Sequence, residues 1–144
     1  MATKKVLKAA CFCGAVQLAV TGSPKIMGYC HCESCRAWSA GPINAFSLWD
    51  TKNIAVKKGA EKLDSFRKTE GTHRKFCKLC GGHVMTVHPF MDLIDVYAPL
   101  LPELRFKPKL HVFYAEKTLR MRDGLPKFRD TPKEMGGSGR LMAE

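Results

Sequence analysis

The chain lacks any long apolar run. None of its stretches approaches the roughly 20 successive apolar residues that a membrane helix needs, so no helical membrane span is expected. The opening "MATKKVLKAA" has a basic start, but Lys8 interrupts its only apolar segment, so no secretory signal is read there and the cytoplasm is the expected compartment. Sustained helical periodicity is also missing, which argues against a bundle or a coiled coil. Acidic residues are scarce as well, 13 against 24 lysines and arginines, leaving a net charge of +11. A final absence concerns the seven cysteines: none stands alone in the sequence, so none reads as a lone core thiol.

A basic excess favours anionic partners, including nucleic acid, phosphorylated surfaces and small acidic molecules. The charges are dispersed in short pairs, Lys57 with Lys58, Arg67 with Lys68, Arg74 with Lys75, and Lys107 near Lys109. Aromatic residues are not interleaved with them as stacking platforms would require, so a nucleic-acid partner is allowed by the charge but not favoured. Trp38 and Trp49 flank apolar stretches and read as core or pocket wall.

Period-two alternation dominates what is present. In "CGAVQLAVTGSP" Val16, Leu18 and Val20 alternate with Ala15, Gln17 and Ala19 before a Gly-Ser-Pro stop. "KIMGYC", "INAFSLWD", "NIAVKKG", "KLDSFRK", "HVMTVHPF", "DLIDVYAPL" and "LHVFYAEKT" read as further strands. Short helices are expected only after Cys32 and near Pro99 to Leu104. The expectation is one mainly-β domain over residues 1–144, built from short antiparallel strands, with a mobile tail from about 131 to 144 where Pro132 and a Gly-Gly-Ser-Gly stretch occur.

The cysteines fall as Cys11-x-Cys13, Cys30-x-Cys32-x-x-Cys35 and Cys77-x-x-Cys80. An odd number without an export signal speaks against a disulfide framework, and the close spacing speaks for metal. "CKLCGG" resembles one knuckle of a zinc site and needs a second pair, for which Cys11 and Cys13 are the natural partners. On spacing alone, two cysteines of the middle cluster would serve as well. Cys30, Cys32 and Cys35 offer three thiolates to one metal. The fourth position is then either open, as in catalytic zinc sites, or closed by His31, His73, His83, His88 or His111, of which His31 is the least suited because adjacent residues of an extended segment point apart. Arg36 is the basic residue nearest the cluster. Glu33 inside it is a candidate proton carrier with an exposed loop residue as its default, and Asp123-Gly124-Leu125-Pro126 reads first as a turn.

"CFCGAV", "CHCESCR", "FCKLCGG" and "DGLPKF" together resemble the pattern of the glutathione-dependent formaldehyde-activating enzyme family, which includes centromere-protein-V-like proteins. The likeness runs from about Cys11 to about Phe128. It implies tent-like β-sheets around two zinc ions, with Cys11, Cys13, Cys77 and Cys80 holding a structural ion. It makes Cys30, Cys32 and Cys35 the ligands of a second, catalytic-type zinc. The implied activity is that of a carbon–sulfur lyase of the S-(hydroxymethyl)glutathione synthase kind, with glutathione and formaldehyde as reactants. The alternative expectation is a non-catalytic, zinc-stabilised basic module that binds nucleic acid or another anionic partner.

Overall fold

The computed structural model describes residues 4–144, and Met1 to Thr3 of the amino-terminal stretch read above lie outside the described residues. Twelve strands occur among those residues. They are β1 (Val6–Ala10), β2 (Gln17–Thr21), β3 (Ile26–Cys30), β4 (Asn44–Asp50), β5 (Ile54–Lys58), β6 (Leu63–Thr69), β7 (Thr72–Cys77), β8 (His83–His88), β9 (Leu93–Tyr97), β10 (His111–Val112), β11 (Lys127–Phe128) and β12 (Leu141–Met142). One α-helix, α1 (Glu33–Ser39), follows β3, and the remaining helical turns are short 3₁₀ segments. The fold is mainly β, as the alternation required. No helix among the described residues is long and apolar enough to cross a membrane.

The chain forms two compact units, one comprising the chain up to Lys25 with Ser47–Phe106, the other Ile26–Phe46 with Lys107–Glu144. In the first unit β1, β2 and β5 form an antiparallel sheet in that order. The pairing sets Leu7 opposite Val20 and Ala9 opposite Leu18, so the inward faces of β1 and β2 coincide. Val16, Leu18 and Val20 are buried as their alternation demanded, and each apolar side chain removed from water contributes about 1.5–3 kcal/mol. An antiparallel meander of β6, β7, β8 and β9 supplies the rest of this core through Cys77, Met85, Ile94 and Val96. Trp49 is fully buried and donates its indole N–H to Ser47 Oγ at 2.9 Å, which removes the cost of an unpaired donor.

In the second unit β10 pairs in parallel with both β3 and β11, and β12 closes antiparallel on β11. Gly28 makes the β3 approach feasible, because a Cβ there would lie 2.6 Å from the carbonyl oxygen of Leu110. Residues 131–144, read from the sequence as a mobile tail, include a 3₁₀ turn at Lys133–Met135, the strand β12, and Glu144 bound to Lys127.

Local chemistry explains where the sequence reading and the structure differ. β1 escapes the pattern because Lys8, which stands exposed between the buried Leu7 and Ala9, breaks the apolar run. β7, "THRKFC", is a largely polar strand made by its pairing with β6 and β8. The expected strand "LHVFYAEKT" is only two residues long, since Phe113 takes a left-handed φ of 52° and turns the chain into the 3₁₀ segment Tyr114–Glu116.

Candidate metal centres

Cys11 leaves β1 into a tight turn in which Gly14 N–H bonds the Cys11 carbonyl at 3.0 Å and Cys11 N–H bonds Val16 O at 3.0 Å. The turn brings Cys13 Sγ to 3.7 Å from Cys11 Sγ and 3.8 Å from Cys77 Sγ. Cys77 ends β7, and the chain reverses at once, with Gly81 N–H on Cys77 O at 2.8 Å and Cys77 N–H on Gly82 O at 3.0 Å. Gly81 adopts a φ of 72°, a conformation that costs glycine little. All four sulfurs of Cys11, Cys13, Cys77 and Cys80 lie within 4.8 Å of one another.

The donor set fits zinc. Four sulfurs at a Zn–S distance of about 2.3 Å stand about 3.8 Å apart in a tetrahedron, whereas a disulfide needs about 2.05 Å. Backbone donors already face the sulfurs: Val16 N–H reaches Cys11 Sγ at 3.2 Å, and Gly82 N–H reaches Cys80 Sγ at 3.4 Å. The Gly82 N–H, together with that of Cys13, lowers the Cys80 thiol to about 6. A thiolate is the form that binds metal.

The second cluster lies wholly in the second unit. Cys30 ends β3 and is buried, and Cys32 caps α1, its sulfur accepting the N–H of Cys35 at 3.2 Å. The N-cap and third helical positions face the same end of a helix, so the start of α1 aligns Cys32 with Cys35 by local geometry. The sulfurs of Cys30, Cys32 and Cys35 lie within 4.8 Å of one another. Hydrogen bonding from Cys32 and Cys35 pushes the Cys30 thiol well above its ordinary range, so three thiolates in this space require a cation.

None of the five histidines joins either sulfur group among the described residues. His73 donates through Nε2 to Glu70 O at 2.9 Å, and His83 lies edge-on to Tyr97. His88 closes the β8–β9 register opposite Leu93. His31 and His111 bond each other, His31 Nε2 to His111 Nδ1 at 2.8 Å. Arg36 donates through Nε to the carbonyl of His31 at 3.0 Å, and exposed Glu33 donates its backbone N–H to Glu116 Oε1 at 3.3 Å.

Sequence reading missed a polar chain in the second unit that runs from buried histidines to the surface. From His111 it continues to Asp123, whose Oδ2 accepts Nε2–H at 2.7 Å. Lys127, almost fully buried, binds Asp123 Oδ1 and Glu144 Oε1, the latter at 2.8 Å. Burial alone would raise the Asp123 carboxyl, but the hydrogen bonds from Lys127 and His111 outweigh it and hold the group well below the usual carboxylate range. Tyr29 stacks on His111 with centroids 5.0 Å apart, and Tyr114 stands edge-on to His31 and His111 at 5.0 and 5.6 Å. No spacing rule could find this chain: His31 and His111 are 80 positions apart.

The chain is 35% identical over 72 residues to an uncharacterized lyase of Schizosaccharomyces pombe, a match that takes in 49% of this chain. It spans about half the length of that curated relative, 50% of which is covered. A crystal structure of a Rhodobacter sphaeroides protein superposes with a TM-score of 0.54 at 24% identity, covering 69% of this chain and 91% of that one, a likeness of fold. The family described as glutathione-dependent formaldehyde-activating enzyme matches residues 6–116, and the chain belongs to that family.

Proposed function

We propose that the protein is a zinc-dependent carbon–sulfur lyase-type enzyme acting on a small thiol adduct, with glutathione and formaldehyde as the reactants the family suggests. The observation that carries this reading is the three-sulfur group at Cys30, Cys32 and Cys35, to which the described residues add no fourth ligand. A four-sulfur group closes a tetrahedron and suits a structural ion, whereas three leave a coordination position for an incoming thiol. The name of the S. pombe relative, an uncharacterized lyase, supports the class. The reading assigns a structural zinc to Cys11, Cys13, Cys77 and Cys80, and a reactive one to Cys30, Cys32 and Cys35, within a single functional domain.

Zinc, when bound, would supply the positive charge that keeps a thiol in its nucleophilic thiolate form near neutral pH. The overall reaction is redox-neutral. The thiol gives up its proton, its sulfur forms a bond to the carbonyl carbon, and the carbonyl oxygen takes a proton to become a hydroxyl. The chain's own part is to hold three thiolates together: β3 fixes Cys30, and the N-terminal turn of α1 fixes Cys32 and Cys35. Arg36 keeps its guanidinium beside this segment through the bond to His31 O, which leaves its other nitrogens to meet a carboxylate of the thiol.

Native mass spectrometry of freshly purified protein, with and without glutathione, tests the reading. Two zincs and a glutathione adduct lost on Cys30→Ser are expected. Rates equal to those of the uncatalysed addition at saturating protein would refute the enzyme.

A second reading, a basic binding module, is favoured by one surface. Phe66 is 53% exposed on β6 opposite Arg74, with exposed Arg67 and Lys68 following it. Salt-sensitive gel shifts with generic duplex and single strands test it, and no shift at low salt would end it.

A further inference from the structure

The polar chain of the second unit determines where its protons lie. Lysine only donates and an ionised carboxylate only accepts, so Asp123 must accept from both Lys127 and His111. A neutral His111 therefore carries its proton on Nε2 and presents a lone pair at Nδ1. His31 must then donate from Nε2 to that lone pair, which leaves its own Nδ1 unprotonated. That Nδ1 is buried and has no hydrogen-bond partner among the described residues. The rings are held from the side by Tyr29 and Tyr114. The backbone of His31 is held too, its N–H on Val112 O at 3.1 Å and its carbonyl on Arg36 Nε at 3.0 Å.

His31 separates two of the three thiols in sequence, Cys30 and Cys32. We propose that Asp123 is a positioning residue: acting through His111, it locks His31 as the Nε2–H tautomer and so fixes the Cys30–Cys32 segment for metal. A carboxylate that orients a histidine is familiar where the histidine is itself a ligand. Here the histidine joins neither sulfur group, and it is the segment it belongs to that is fixed. The role concerns the ligand segment and holds whatever substrate the centre takes.

Asp123→Asn tests the tautomer directly. Lys127 cannot accept, so the amide oxygen must face Lys127 and the amide NH₂ must face His111 Nε2. Each ring then moves its own proton from Nε2 to Nδ1, with no net proton gained or lost. Replacing Lys127 as well, in Asp123→Asn/Lys127→Met, lets the amide turn its oxygen to His111 and is expected to restore the original tautomers. The readouts are long-range ¹H–¹⁵N imidazole spectra of the zinc-loaded protein and chelator competition for the three-thiol metal.

The expected result is Nε2–H on both rings of the wild type and Nδ1–H on both in Asp123→Asn. Metal held by the three-thiol centre should weaken about tenfold, the low end of what outer partners of metal sites contribute, and recover in the double variant. The metal of the four-thiol centre should be unaffected. Wild-type His31 protonated at Nδ1 would overturn the proposal without any variant. So would reversed tautomers with unchanged metal affinity. Failure to bind glutathione would refute the lyase reading and leave these results standing.

Discussion

Cys80 and Cys35 are a matched pair for separating the two candidate metal centres. Both are half-buried, both belong to a sulfur group of mutual reach below 4.8 Å, and Ser is a near-isostere of each. What differs is the loop that each group closes. The four-thiol group joins residues 64 positions apart, Cys13 to Cys77, whereas Cys30 and Cys35 are separated by five positions. With the chain-entropy relation used for cross-links, closing the long loop is worth about 4 kcal/mol and the short one about 2 kcal/mol. Part of the short loop is already fixed by the helix, so even that figure is an upper bound.

Cys80→Ser should therefore lower stability by about 4 kcal/mol once its metal is lost, a large share of the roughly 5–15 kcal/mol of a typical domain. For a chain of this size that corresponds to a fall in Tm of roughly 10–15 °C, against about 5 °C for Cys35→Ser. The assay is thermal and urea unfolding followed by circular dichroism, with zinc counted in each sample. Equal losses in the two variants, or a larger loss in Cys35→Ser, would refute the division into one structural and one open centre.

Gly28→Ala should destabilise by about 1–3 kcal/mol, because its Cβ would meet the Leu110 carbonyl at 2.6 Å, and a lowered urea midpoint would register it. Lys127→Met should cost about 2 kcal/mol in urea unfolding. That is less than the 3–5 kcal/mol of a fully buried pair, since the side chains of Asp123 and Glu144 remain 29% and 35% exposed to water. The Asp123 carboxyl is depressed in the folded state, so its contribution is complete above the unfolded value of about 3.9 and is lost as pH falls towards the folded one. Wild type should thus lose stability relative to Asp123→Asn as pH falls below about 4. Counting bound zinc at each pH separates this effect from the acid release of metal, which differs between the two proteins, and parallel pH profiles at equal zinc content would contradict the assignment.

The ligand candidates were legible because thiol pairs two or three positions apart need only a local turn to meet. "CKLCGG" carries its own reversal, and "CHCESCR" becomes a helix start that aligns Cys32 with Cys35. Strands with clean alternation, such as the one holding Leu18 and Val20, were legible for the same reason: period two states which face is buried. β7 was not, since the charged residues of "THRKFC" sit where pairing with its neighbours, rather than apolar pattern, makes the strand, and β1 was too short in apolar residues to stand out, with Lys8 on its exposed face.

By itself, then, the sequence determined a mainly-β chain, its cysteine groups and its family, because these rest on local spacing and on motif. Spacing left open which pair lies beside the "CKLCGG" knuckle, and the fold brings Cys13 within 3.8 Å of Cys77. The chain from His31 through His111 and Asp123 to Lys127 and Glu144 also belongs to the tertiary structure alone. Its members come from four separate stretches, brought within hydrogen-bond reach by the parallel pairing of β10 with β3 and β11 and by the antiparallel closure of β12 on β11. A buried lysine cannot be read from composition, because what makes it tolerable is a partner that only the fold supplies.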